Sequence, residues 1–172
     1  MACLLRPSSL CPLADYAMAL NAATLIKDGG TLQIGIGAFS DALAHALVLR
    51  HTDNAAFRDL LDKLGTPLPE WAELGPFSVA LYGCSEMLVD GFIALKKAGV
   101  LKRRVPTANG KTALMHAGFF IGNKVFYDHL RGMPEEELAE ICMTAISFTN
   151  TLDGDLGRNA PTVGMCDLST RR

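Results

Sequence analysis

Apolar positions along this chain fall into two alternating rhythms. Between Asp15 and Asp28 they recur at helical spacing, through Met18, Ala22, Leu25 and Ile26, and Gly29-Gly30 stops the run. Thr31-Leu32-Gln33-Ile34 reads as a short strand ended by Gly35-Ile36-Gly37. Ser40 is then placed to cap a helix over 41–51, with Asp41 in its first turn. A further helix is expected from Asp53 to about Leu64, and Gly65, Pro67, Pro69, Gly75 and Pro76 mark 65–76 as a loop. Residues 77–83 read as a second strand and 87–98 as the helix that follows it. Ala113 to Ile121 reads as a third strand, Asn123 caps a helix from Lys124 to Arg131, and Pro134 opens another from Glu135 to about Met143. Residues 145–149 read as a fourth strand. Strands alternating with helices predict an α/β domain: a mostly parallel sheet with helices on both faces.

The ends differ from this pattern. Residues 1–13 read as a loose leader, and Pro7, Ser8, Ser9 and Pro12 break its apolar stretch, which makes a poor signal peptide. Residues 151–172, with Gly154, Gly157, Pro161 and Gly164, read as an irregular tail. Between them, 172 residues that are 49% hydrophobic and 20% charged are enough for one domain with a real core and argue against disorder. No stretch reaches the roughly 20 apolar residues of a membrane span, so a cytoplasmic protein is expected. A net charge of -2 does not draw the chain to nucleic acid or to an anionic membrane. Lys96, Lys97, Lys102, Arg103 and Arg104 cluster locally; a solvated helix end explains them, and a patch that meets phosphates is the sharper reading.

Cysteine and histidine usage narrows the chemistry. Five cysteines without CxxC spacing suggest free thiols in a reducing compartment. The histidines at 45, 51, 116 and 129 lack metal-ligand spacing, so no metal is expected. His116, in an apolar run, reads as a core residue.

Two stretches carry candidate chemistry. Gly35-Ile36-Gly37-Ala38-Phe39-Ser40 follows a strand and precedes a helix, where glycines let the backbone approach a ligand and free N–H groups face an anion. It lacks the third glycine of a dinucleotide fingerprint, and a tight turn alone explains it equally well. Leu81-Tyr82-Gly83-Cys84-Ser85-Glu86-Met87-Leu88-Val89-Asp90-Gly91 places a carboxylate, Glu86, at the end of a strand, where open α/β sheets bind ligands. Glu86 is either a nucleophile toward an activated acyl group or a first-turn glutamate favoured by the helix dipole. Cys84 has no nucleophile-elbow glycine after it and reads as a structural thiol.

Taken in order, these segments resemble a known family. Residues 29–38 with Ser40-Asp41-Ala42-Leu43, then Ser85-Glu86-Met87-Leu88-Val89-Asp90-Gly91, His116-Ala117-Gly118-Phe119-Phe120-Ile121-Gly122, Phe126-Tyr127, Leu130-Arg131 and finally residues 147–150 are similar to the catalytic half of the acetyl-CoA hydrolase/transferase family, which includes 4-hydroxybutyrate and acetate CoA-transferases. The resemblance covers about residues 14–150. It implies an α/β CoA-transferase fold and, since the family's preceding domain and its later glycine-rich loop have no counterpart, an incomplete catalytic domain. It implies that Glu86 attacks an acyl-CoA and passes through a glutamyl-CoA thioester, leading to transfer or hydrolysis. It implies that Gly35, Ile36, Gly37, Ala38 and Phe39 contact CoA. Coenzyme A is then a substrate rather than a resident cofactor. The expected partners are an acyl-CoA, a small carboxylate, and further copies of the chain or a complementing chain. A non-catalytic module of the same fold, binding CoA or a partner, is the alternative, and a Cys84 thiol enzyme is a weaker third reading.

Overall fold

The computed structural model describes residues 11–107 and 110–143. The predicted strand over 145–149, the tail 151–172 and most of the leader lie outside them. The described residues form two compact units, one made from those up to Gly30 with Ile36–Leu81 and Gly91–Lys102, the other from Thr31–Gly35, Tyr82–Asp90 and those from Arg103 to Met143.

The first unit is helical: α1 (Leu13–Ala23), α2 (Ala38–Thr52), α3 (Asn54–Leu64) and, from its second residue, α4 (Asp90–Lys97). α1 packs along α2 and α3. It buries Ala19, Leu20 and Ala23, while α2 buries Ala42, Leu43, Ala46 and Leu47. Small alanines let helix backbones approach closely, and each leucine taken fully from water contributes about 1.5–3 kcal/mol.

Three boundaries depart from expectation. α2 begins at Ala38, not Asp41, because Gly37 at φ 120° turns the chain into the helix earlier, and Ser40 lies inside the first turn. That φ favours glycine. α1 ends at Ala23 rather than near Asp28, because Thr24 Oγ1 donates to Asn21 O and the buried Arg50 takes the carbonyls of Ala23 and Ile26. Residues 77–80 are not strand. The Asp28 carboxylate accepts from the backbone N–H groups of Ser78, Val79 and Ala80 at 2.9, 2.9 and 2.7 Å, which bends the segment and leaves Ala80 at φ 70°. Within this unit the helix after Asp53 matches closely: Asp53 accepts from Ala56 N at 3.1 Å and Gly65, at φ 61°, closes it.

The Asp28 contact yields a pH prediction. Partial burial pushes its carboxyl upward, but four backbone donors, Gly29 N included, outweigh that and hold it below the usual carboxylate range. Because the folded value is depressed, the stabilisation is complete above the unfolded value near about 3.9 and is lost as pH falls through the folded one. Asp28→Asn is expected to cost about 2 kcal/mol at neutral pH, since an amide turns two donors toward a ring of donors. Urea midpoints between pH 7 and pH 3 should fall less steeply toward acid in the variant than in the parent chain.

The second unit is built on a four-stranded, all-parallel sheet of order β1 (Thr31–Leu32), β2 (Tyr82–Cys84), β6 (Met115–Ala117) and β8 (Ile141–Met143). Short parallel strands β3 (Met87–Leu88) and β7 (Phe119–Phe120) pair beside it, β4 (Val105–Pro106) and β5 (Thr112–Ala113) form an antiparallel pair, and α5 (Lys124–Arg131) and α6 (Glu135–Leu138) complete the unit. The molecule is thus mixed α/β with a mostly parallel sheet. The run 113–121, expected as one strand, is divided among β5, β6 and β7. The helix expected over 135–143 stops at Leu138, and Ile141–Met143 joins the sheet instead. The Glu140 carbonyl accepts from Leu114 N at 2.9 Å and starts the pairing with β6, which outweighs local helix propensity. Asn123 caps α5 as expected, accepting from Phe126 N at 3.0 Å.

Candidate active site at the strand ends

Glu86 lies in a bend between β2 and β3, not in a helix first turn. α4 begins four residues later, at Asp90, and it is Asp90 that supplies the first-turn acid. The helix-dipole explanation for Glu86 therefore fails.

The bend is shared by two chains of backbone. Gly83 pairs with Met115 and Cys84 with His116 before it, Met87 with Phe119 and Leu88 with Phe120 after it, all in one register. β2 and β3 are one bent strand, and β6 and β7 are its bent neighbour. At the bend Ser85 N donates to His116 O at 2.9 Å, and the Glu86 carbonyl accepts from Gly118 N at 2.8 Å and Phe119 N at 3.3 Å. The Cys84–Ser85 and Glu86–Met87 peptide groups are thus held, while the Glu86 side chain is exposed and makes no hydrogen bond or ion pair among the described residues. A carboxylate with a fixed backbone and an unengaged head group is the arrangement a nucleophile needs.

On the other side of β2, Ser85 is 2% exposed and its Oγ donates to the Ile34 carbonyl at 2.9 Å. Ile34 and Gly35 follow β1, so the strand end that carries Gly35 lies beside the strand end that carries Glu86. Parallel strands end together on one edge, and here that edge bears both candidate stretches in part. Ile36, Gly37, Ala38 and Phe39 belong to the helical unit: Gly37 is the N-cap of α2, and Ile36 and Phe39 are exposed. A Cβ added at Gly35 or Gly37 would meet nothing within 4 Å. The backbone there faces open space, and only Gly37 needs to be glycine for its φ.

The other candidates are structural. His116 is 3% exposed in β6, and burial lowers its pKa. Cys84 is disulfide-bonded, which removes it as a free nucleophile and corrects the expectation of free thiols, while Cys11 and Cys142 are free. Arg103 donates to Thr31 Oγ1 at 2.8 Å and lies over the Tyr82 ring, and Arg104 pairs with Glu140, so two members of the basic cluster have partners within the sheet unit. Among the described residues no group of three His, Cys, Asp or Glu side chains could hold a metal ion, and no helix is long and apolar enough to cross a membrane. A cleft of about 330 Å³ between α1, α2 and α3, lined by Tyr16, Leu20, His45, Leu49 and Leu60, is almost wholly apolar and holds no carboxylate.

Sequence reasoning singled out Glu86 and the glycine turn but gave no part to the contacts of Ser85 and Gly118 there, nor to Asp28 and Arg50 in the helical unit. Gly118 acts through its N–H and Ser85 through a neighbouring strand's carbonyl, and neither leaves a periodic trace. Arg50 had a trace, a cation in the last turn of an apolar helix.

Fold and edge together define an α/β protein with an exposed carboxylate at the C-terminal ends of parallel strands. The chain is 32% identical over 128 residues to the 4-hydroxybutyrate coenzyme A transferase of Clostridium kluyveri, a match that takes in 72% of this chain and 22% of that protein. The chain therefore spans only about a fifth of that relative's length. No family profile matches the chain. Identity at this level across most of the chain supports a relationship to CoA transferases.

Proposed function

We propose that this chain is part of a CoA-transferase catalytic domain and that Glu86 is its nucleophile. The observation that carries the reading is the Glu86 carboxylate itself, exposed and without a partner among the described residues, on a bend pinned by backbone hydrogen bonds. The similarity to a CoA transferase supplies the reaction class.

The steps follow from carboxylate chemistry. A Glu86 oxygen attacks the thioester carbonyl of an acyl-CoA, the C–S bond breaks, and CoA leaves as thiolate with an acyl–glutamyl anhydride in its place. The thiolate attacks the glutamyl carbonyl of that anhydride, releasing the acyl group as a carboxylate and leaving a glutamyl-CoA thioester. An acceptor carboxylate attacks this thioester and takes the CoA by the same two steps in reverse, which restores Glu86. Attack by water instead gives hydrolysis. Gly35 to Phe39 are the proposed CoA-contacting residues: a Cβ at Gly35 or Gly37 would meet nothing, which leaves room for a ligand to approach the backbone there.

Incubation with acetyl-CoA followed by borohydride reduction and peptide mass spectrometry tests the proposal. Reduction of a glutamyl thioester to the alcohol at Glu86 is the expected result. A folded sample that binds CoA and carries no modification at Glu86 supports the non-catalytic binding module instead.

A further inference from the structure

The Ser85 hydroxyl sits where the sheet stops being held by its own ladder. β1 and β2 pair only through Thr31↔Tyr82 and Leu32↔Gly83. Carried forward, that register sets Ile34 opposite Ser85, and there the link is the Ser85 Oγ hydrogen bond to the Ile34 carbonyl at 2.9 Å. Both residues are buried, at 2% and 4% exposure, so water does not compete for the bond. The next residue on each strand is Gly35 on one and Glu86 on the other.

We propose that Ser85 is a positioning residue for Glu86, extending the apposition of the two strand ends past the last ladder pair and fixing the direction in which the carboxylate leaves the bend. The inference rests on the reading of Glu86 as nucleophile. Ser85 touches no reacting atom; it acts through the backbone. Its N–H, held by His116 O, and its hydroxyl, held by Ile34 O, tie the residue before Glu86 to strands on both sides. The Glu86 carbonyl, held by Gly118 N and Phe119 N, ties the next peptide. Without the hydroxyl, the β6 side stays pinned and the β1 side is released. A shift of about 1 Å in a reacting group costs on the order of 10²-fold in rate.

The test is the rate of Glu86 modification by acetyl-CoA and borohydride in the whole chain, per folded molecule by circular dichroism, as a function of acetyl-CoA concentration. Ser85→Ala is expected to lower the saturating rate by about 10- to 100-fold while leaving the half-saturating concentration within about threefold of the parent. Ser85→Thr, which keeps the hydroxyl, is expected to recover most of that rate; Ser85→Cys, with a weaker donor and no added branch, serves if the extra methyl prevents folding and should fall between. A purely structural role would change the folded fraction and spare the rate per folded molecule. Wild-type modification with an equal rate in Ser85→Ala overturns the positioning role alone. No modification of Glu86 in the wild-type chain overturns the nucleophile reading and this inference with it.

Discussion

Glu86→Gln is expected to abolish formation of the covalent CoA adduct, lowering any turnover by on the order of 10³-fold or more, with no measurable change in stability. The amide keeps the shape of the side chain but removes the anionic oxygen that must attack. Because the carboxylate is exposed and engages none of the described residues, the substitution removes no folding interaction, and its effect on unfolding should stay within about 0.5 kcal/mol. Glu86→Asp separates charge from reach: it keeps the nucleophile and withdraws it by one methylene, for which about a 10²-fold loss is expected. Measurement of adduct formation and of denaturant midpoints on the same samples decides the matter. Persistence of the adduct in Glu86→Gln would show that another residue forms it.

Arg50→Ala is expected to be the most destabilising single change in the helical unit, at about 3–5 kcal/mol. Arg50 is 1% exposed near the end of α2. Its Nε donates to Gly75 O at 2.7 Å, and its Nη1 to Ala23 O at 2.8 Å and Ile26 O at 2.7 Å. Its Nη2 lies 3.6 Å from a Glu73 carboxylate oxygen, and the guanidinium carbon sits 4.3 Å from the Phe77 ring centroid. One side chain thereby joins the exit of α1, the irregular segment after α3 and Phe77. Truncation leaves buried carbonyls without donors and opens a cavity the size of the guanidinium, and both terms are unfavourable. Arg50→Lys should recover little, because one ammonium cannot reproduce a planar fork of five N–H donors. A fall in Tm of about 10 °C or more for Arg50→Ala, with Arg50→Lys close behind, is the expected outcome. A shift of one or two degrees would show that the three carbonyls find other donors.

The legible part of the fold was the part encoded by local chemistry. Asp53 and Asn123 were readable as caps because each satisfies an orphan N–H within three residues of itself, and Gly65 was readable as a stop for the same short-range reason. The parallel sheet was readable in outline, since short apolar runs alternate with helical ones. Apart from the start of α2, which Gly37 sets locally, the boundaries that failed were decided by partners far along the chain. Asp28 draws in 78–80 from fifty residues away, Glu140 draws 141–143 into the sheet beside β6, and Arg50 ends α1 from the far end of α2.

The same division runs through the candidate site. Sequence alone determined that Glu86 follows an apolar run and that Gly35 and Gly37 flank a turn; that the two stretches belong to one chemistry is what the resemblance implies. Only the tertiary structure decided that Glu86 lies in a bend rather than a helix, that Gly118 and Phe119 hold its peptide, and that Ser85 bridges to Ile34. Those contacts join residues 32 to 51 positions apart, through single hydrogen bonds whose donors and acceptors are mostly backbone atoms. Every residue type carries a backbone N–H or carbonyl, proline's missing N–H aside, so their pairing leaves no mark on the order of side chains and appears only when the strands are laid side by side.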